Sequence, residues 1–372
     1  MRHGEVLAAR RSYPAAVAGQ WELPGGKVDG DEIVADAAVR EIAEELGCEI
    51  RALGPLHASV LLRPGLRLVA QYAELIGGAP EAREHSNLRW LGPEELDDVE
   101  WIAADREFLP ELRERLLDGE PLAGGATGGA VRIGETVRRT AGAWTPAVHE
   151  LLASLRALPI TPDVLGIDER GREVLTYLPG TTVRPDDATL TDAHVASCGR
   201  GLRSVHDALA AFRPTGERMW RYGARTLQPG EVICHNDPGV YNWAFDGDDA
   251  VGLFDWDMAG PGDALDDLGF LAWTAIPLYR DIDPAAVARR LRLLTTAYNT
   301  DDASDGAISP SDVLDAAYRR MQLACERISA GIKHGDAGMA KLADVGEPDR
   351  TRARLAILEH HLPALRAAFS RL

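Results

Sequence analysis

The 372-residue chain carries a formal net charge of −18, with 26% charged and 45% hydrophobic residues. So acidic a surface repels a phosphate backbone, which argues against duplex nucleic acid as a partner, and the apolar share is too high for a disordered chain. At about 100–200 residues per domain the length suits two or three domains.

The first residues, MRHGEVLAARRSYP, hold no apolar signal core, and no run reaches the roughly 18 apolar residues of a membrane span. The four cysteines, Cys48, Cys198, Cys234 and Cys325, are far apart and include no CxxC pair. A cytoplasmic, unprocessed chain with no membrane partner is expected. Residues 5–9 (EVLAA) and 66–75 (LRLVAQYAEL) read as strands and 31–46 as a helix. A second helix over 106–119 should stop at Gly119, closing a first domain of residues 1–119. The stretch EPLAGGATGGAVRIGETVRR that follows reads as a flexible linker or as a glycine loop between strands. A helix at 146–157, a strand at 173–178, a helix at 192–211, a strand–loop–strand at 231–256 and then mostly helix complete a second domain, 120–372. The class is α/β (α+β).

On the helix of 31–46, 100° per residue puts Ala35, Val39, Ile42 and Leu46 on one face and Glu41, Glu44 and Glu45 on another. Like charges at such spacings destabilise a helix by a few tenths of a kcal/mol each. A hard cation such as Mg²⁺ would offset that; a solvated acidic face with Arg40 as counter-ion would account for the glutamates alone equally well.

The whole segment from Gly26 to Cys48, GKVDGDEIVADAAVREIAEELGC, meets every fixed position of G-x5-E-x7-R-E-U-x-E-E-x-G-U and so resembles the Nudix signature. The approach WELPGGKVDGDE is similar to the MutT-type branch. The resemblance implies an α/β/α sandwich with a mixed sheet that hydrolyses nucleoside triphosphates, including damaged ones, to a nucleoside monophosphate and pyrophosphate with Mg²⁺ or Mn²⁺. It further implies that Glu41, Glu44 and Glu45 hold metal, that Glu44, Glu45 and Arg40 serve catalysis, and that the Gly25 carbonyl is a ligand, with Gly26 and Glu32 in support. Glu84 would add a metal-binding or base-activating carboxylate, Arg11 would contact phosphate and Asp105 would read the base edge. The family's sheet normally begins one strand before the turn RHGE, where this sequence starts. Either a strand precedes Met1 or the sheet lacks a member and is less stable.

Later, CHNDPGVYNWAFDGDDAVGLFDWD places His235, Asp237 and Asn242 in one loop and Asp255 at the end of the next apolar strand. Two carboxylates and an amide brought together in this way suit metal-assisted phosphoryl transfer. The pattern HxDxxxxN followed by FDW resembles the aminoglycoside phosphotransferase family over roughly residues 122–372. That implies a two-lobed kinase-like fold, with a short first lobe at about 122–178 and a mostly helical second lobe at 179–372. Asp237 would be the base toward a hydroxyl of a small-molecule acceptor, Asn242 and Asp255 would hold Mg²⁺, His235 would brace the loop and ATP would be the donor. No lysine lies on the strand that should grip the phosphates. TVRR offers Arg139 or Arg138, and arginine replaces lysine poorly there. Glu150 would pair with that arginine or face solvent, and Tyr177 and Leu178 would offer backbone groups to adenine. A kinase-like module that only binds ligand, or a nucleotide sensor, stays an alternative.

Overall fold

The computed structural model describes residues 1–122, 129–185, 187, 189–280, 283–299 and 307–369, so the expected glycine loop at 123–128 lies outside the described residues. Two compact units emerge, Met1–Ala123 with Gly129–Arg138, and Arg139–Leu372. No helix of the described residues is long and apolar enough to cross a membrane.

In the first unit, β1 (Val6–Arg11) lies antiparallel between β2 (Trp21–Glu22) and β5 (His85–Leu91). Helix α1 (Val34–Leu46) is followed by the long hairpin of β3 (Glu49–Arg63) and β4 (Leu66–Gly77). Alternation along β1 sets the layers. Val6 and Ala8 join Leu91, Trp101, Leu112 and Leu116 under α2 (Leu109–Leu117), while Leu7 turns to Ile42, Leu46 and Cys48 of the α1 layer. The expected packing face of α1 needs one correction: Val39 is 38% exposed, and the buried positions are Ala37, Ile42 and Leu46. Gly47 ends α1 in a left-handed conformation (φ 65°) that its missing Cβ permits.

The expected helix over 106–119 is a 3₁₀ turn at Asp105–Phe108 that runs into α2. Short β6 (Glu120–Pro121) then pairs with β7 (Val131–Ile133), which forms a hairpin with β8 (Thr136–Thr140). Residues 129–138 thus belong to the first unit, beyond the 119/120 boundary read from the sequence: a Cβ on Gly4 or Gly119 would strike the β7 backbone or side chains at 2.8 Å.

The second unit begins with α3 (Thr145–Ser154) and the hairpin of β9 (Val164–Ile167) and β10 (Arg172–Thr176). It continues with α4 (Asp192–Leu209), whose Thr191 and His194 form a capping box, and the small hairpin β11 (Arg218–Trp220) and β12 (Gly223–Arg225). Strand β13 (Val232–Cys234) leads into the HND loop, and the hairpin β14 (Trp243–Asp246) and β15 (Asp249–Leu253) carries the chain to Asp255. Strand β16 (Gly260–Gly262) returns antiparallel to β13, so the loop after β13 begins beside the strand into which the turn after β15 leads. Helices α5 (Ala264–Ala275), α6 (Pro284–Tyr298), α7 (Pro310–Lys333), α8 (Ala337–Asp344) and α9 (Asp349–Phe369) complete the unit. Fully buried Trp243, Phe245 and Trp256 anchor its core.

Helices α5 and α7 approach at Gly269, where an added Cβ would lie 2.6 Å from the Ala316 backbone. Overpacking against backbone costs about 1–3 kcal/mol and outweighs the ~1 kcal/mol that alanine gains in helix propensity. Gly269→Ala is therefore expected to lower the unfolding free energy by on the order of 1–2 kcal/mol in denaturant titration. A variant at least as stable as the parent would show that the helices part freely.

Candidate active sites

The first unit gathers its carboxylates around Arg40. Its guanidinium pairs with both oxygens of Glu32 (3.2 and 3.0 Å), donates to Glu41 (2.9 Å) and to the Lys27 carbonyl (2.9 Å), and reaches Glu44 at 3.5 Å. Hydrogen bonds to Glu32 and Glu41 hold Arg40 far above the usual guanidinium range, and the bond from Arg40 holds Glu32 below the usual carboxylate range. The Lys27 N–H donates to Glu41 (3.1 Å), which lays the glycine loop against α1. A Cβ on Gly26 would sit 2.1 Å from a Glu41 oxygen, so the backbone passes where only glycine fits. Gly25 (φ 150°) is open on its Cβ side.

Glu45 faces the same region, and its Oε2 is buried with no hydrogen-bond partner. Burial raises its pKa; His85 opposes this, and the charges of Glu41, Glu84 and Glu22 add to it. An orphaned carboxylate oxygen beside other carboxylates and a close-approaching backbone fits a hard divalent cation, which takes oxygen ligands. Glu44 is the most solvated of the three, with its side chain 63% exposed. Glu84 accepts from the Tyr13 hydroxyl (3.0 Å). Arg11 is turned to Glu22 (3.0 Å) and the Tyr13 carbonyl (3.2 Å), and His85 reaches the other Glu22 oxygen (3.0 Å). Glu22 and His85 were missed from sequence: one sits in WELPGG and the other beside Glu84 in REHS, outside the signature spacing. Asp105 is 4% exposed and accepts from the Leu23 N–H at 2.7 Å. Burial lifts its carboxyl to about 6.

In the second unit, Asp237 lies in a closed network. Its two oxygens accept from the Tyr241 hydroxyl (2.7 Å) and the Asn242 amide (3.2 Å), and the same amide reaches the Asp237 carbonyl (2.9 Å). Burial, with the neighbouring Asp255 charge, raises Asp237 to about 7. His235 braces the loop as a neutral imidazole: it is fully buried, Nδ1 accepts from the Asp237 N–H (3.2 Å) and Nε2 donates to the Phe254 carbonyl (3.0 Å). Burial pushes its pKa down. The Phe254 N–H in turn donates to the Asn242 carbonyl (3.0 Å), so the loop and the turn into Asp255 are tied twice. Asn236 and Asp255 both hold left-handed backbones (φ 64° and 63°), a strain that surrounding bonds must fix. Asp267 accepts the N–H groups of His235 and Asn236 (each 2.8 Å), and Arg320 donates to the Asn236 carbonyl (2.6 Å).

Arg139, not Arg138, reaches this site. It donates to Asp255 (2.7 Å), Asp257 and Glu173. Arg138 stays in the first unit, on Glu94 (3.1 Å). Glu150 is not the partner of Arg139, for it pairs with Arg218 at 2.7 Å on the surface; Glu173, fixed also by His149 (3.1 Å), takes that place. Nothing in the sequence spacing marks Glu173 or Asp267, whereas Tyr241 and Asp257 stand next to or two residues from motif positions. Asn242 keeps its amide oxygen, and Asp255 a second carboxylate oxygen, as donors suited to Mg²⁺. Tyr177 and Leu178 follow directly on β10, with Leu178 packed where Gly252 leaves room. His206, Cys234 and Asp267 also gather their ligating atoms. Asp267 and His206 are committed to hydrogen bonds there, including Tyr298 to His206 (2.8 Å), and the cluster braces the loop.

The sequence matches the NUDIX domain over residues 1–112 and the phosphotransferase enzyme family over residues 82–303, which is more than half of the chain. It is 42% identical over 114 residues to a Mycobacterium tuberculosis protein provisionally named 8-oxo-dGTP diphosphatase 2, covering 30% of this chain and 81% of that one. It is 39% identical over 111 residues to the CTP pyrophosphohydrolase of Escherichia coli, covering 29% and 82%. A choline/ethanolamine kinase family protein from Mesorhizobium loti aligns with a TM-score of 0.43 at 19% identity, over 64% of this chain and 91% of that one.

Asp105 yields a test of the first unit's electrostatics. Its carboxyl sits at about 6 when folded against about 3.9 in an unfolded chain. The associated stability is fully present below about pH 4 and is lost as pH rises through 6, by on the order of 2–3 kcal/mol. Asp105→Asn keeps an acceptor for Leu23 and removes that loss. The variant is expected to be more stable than the parent at pH 8 by denaturant titration, with the gap closing below pH 4. A less stable variant at pH 8 would contradict the burial argument.

Proposed function

Because the chain belongs both to the Nudix family, through its N-terminal third, and to the phosphotransferase enzyme family, through residues 82–303, we propose that it carries two phosphate-transferring sites. The first unit hydrolyses nucleoside triphosphates, normal or oxidised, to a nucleoside monophosphate and pyrophosphate. The second unit transfers the γ-phosphoryl group of ATP to a small hydroxylated acceptor. The observation that carries the first reading is the orphaned Glu45 oxygen beside the Glu41–Gly26 contact.

At the first site Glu41 and Glu45, with Glu44, Glu84 and the Gly25 carbonyl, would hold Mg²⁺ or Mn²⁺. Such ions neutralise phosphate charge and make a bound water nucleophilic at neutral pH. Arg40 keeps Glu41 aimed and spaces Glu32 and Glu44 around it. Glu45, its pKa raised by burial, is suited to accept the proton of the attacking water as the phosphoric anhydride bond breaks. Arg11 would lend positive charge to the phosphates; Asp105, expected to read the base edge, is buried on the Leu23 N–H just after β2 and would act by positioning that segment.

At the second site Asp237, seated by Tyr241 and Asn242, accepts the acceptor's hydroxyl proton while that oxygen attacks the γ-phosphorus and ADP leaves. Asn242 and Asp255 would hold Mg²⁺, Arg139 would support the phosphates, and the backbone at Tyr177 and Leu178 would take adenine. The grip of Arg139 on Asp255 and Asp257 supports a second reading, in which this half binds nucleotide without transferring phosphate.

The readings separate by paired substitutions in the full chain with Mg²⁺. Glu45→Gln is expected to cut pyrophosphate release from a panel of normal and oxidised triphosphates by about 100-fold or more, with acceptor phosphorylation intact. Asp237→Asn is expected to do the reverse. Pyrophosphate release unchanged in Glu45→Gln would remove the first assignment. Acceptor-dependent ATP consumption that is absent in the parent, or unchanged in Asp237→Asn, would leave the second half a binding module.

A further inference from the structure

Within the second unit a cavity of about 280 Å³ adjoins the HND loop, with Asp237 and Tyr241 in its lining. Three guanidiniums also line it: Arg320 and Arg327, two turns apart on α7, and Arg354 on α9. Each lies over an aromatic ring. Arg320 is 5.2 Å from the centroid of Phe270, Arg327 is 4.2 Å from Tyr222 and Arg354 is 4.8 Å from Tyr279.

No carboxylate of the described residues lies within 4.0 Å of these three guanidiniums. In a chain with 58 acidic against 40 basic residues, an arginine has every opportunity to find one. Arg320 is only 5% exposed, and its Nε is buried with no hydrogen-bond partner. Burial, and then the charge of Arg320 beside it, hold Arg327 below the usual guanidinium range. The cavity's acids are few and occupied: Asp237 in the loop network, and Glu347, which accepts from the N–H and hydroxyl of Thr351 (3.1 and 2.7 Å). One buried and two half-buried guanidiniums, none with a carboxylate of the described residues within 4.0 Å, favour an anion between them, and charge-assisted bonds from guanidinium to carboxylate are the strong ones. The aromatic side chains favour a flat body by ring stacking. A polyamine would meet like charge on three sides.

We propose that this cavity is the acceptor pocket of the transfer site, and that the acceptor is a flat-ringed hydroxylated acid rather than a cationic molecule. This rests on the phosphotransfer reading above. The acceptor's hydroxyl oxygen bonds to the γ-phosphorus, its proton passes to Asp237, and the bond from the γ-phosphorus to ADP breaks, so the step needs no further reactant.

The test uses the full chain and two probes with the same phenolic ring and opposite charge, 4-hydroxyphenylpropionate and tyramine. Calorimetric titration is expected to show the acid binding at least tenfold more tightly. Arg327→Gln and Arg354→Gln, each checked for an unchanged melting curve, are expected to weaken the acid about five- to tenfold, leave tyramine unchanged and raise KM more than they lower kcat. Arg320 is spared because it holds the Asn236 carbonyl. Tyramine binding as tightly as the acid, or an acid preference unaltered in both variants, overturns the proposal. In Asp237→Asn the acid preference should persist while transfer is lost. An acid preference in a parent chain that phosphorylates neither these probes nor any other acceptor would overturn the phosphotransfer reading and leave an anion-binding cavity.

Discussion

Arg40 and Arg139 each stand where several carboxylates converge, and the geometry of both candidate sites follows from that one arrangement. Around Arg40 the partners are Glu32, Glu41 and Glu44, with Asp29 at 3.9 Å; around Arg139 they are Glu173, Asp255 and Asp257. Two like charges 4 Å apart repel by about 4 kcal/mol at an effective dielectric near 20. A central cation lets each group stay crowded. Burial nevertheless raises the pKa of Glu45 in one unit and of Asp237 and Asp257 in the other, Asp257 even though Arg139 opposes it. Glu45 and Asp237 are the groups that the proposed reactions would use as proton acceptors.

The two arginines differ in what they leave open. Arg40 also binds Glu41, a residue that would hold metal, together with Glu32 and the Lys27 carbonyl, but it leaves the Glu45 oxygen without a partner. Arg139 binds Asp255 itself, the residue that would hold the metal of the second site. A lysine there could hold fewer carboxylates at once, since its ammonium lacks the planar fork of guanidinium. The replacement read from TVRR therefore has a structural consequence: Arg139, at the start of the second unit, holds the turn after β15 through Asp255 and Asp257. The cationic cavity beside Asp237 extends the same theme with the signs reversed, since its arginines have rings where Arg40 and Arg139 have carboxylates.

Much of this was legible in the sequence where the chemistry is local. The Nudix box is contiguous, so the spacing from Gly26 to Cys48 named its helix, its arginine and its glutamates together. The HND loop and Asp255 lie close in sequence, and the Phe254 N–H ties the turn into Asp255 to the loop at Asn242. What stayed hidden depends on contacts distant in sequence. Glu173 meets Arg139 across 34 residues and Asp267 meets the HND loop across 31 and 32, and a helix or strand carboxylate carries no mark of its partner. Val39 was misplaced for a related reason: periodicity gives a helix face, but only the strands decide how much of it is covered.

The account's central claim is that both carboxylate clusters are divalent-metal sites. Titration of the full chain with Mn²⁺, read by the loss of the free-ion electron paramagnetic resonance signal, tests it most directly. Two separable classes of bound Mn²⁺ are expected, one diminished by Glu45→Gln and the other by Asp255→Asn. Binding left unchanged by both substitutions would contradict the claim.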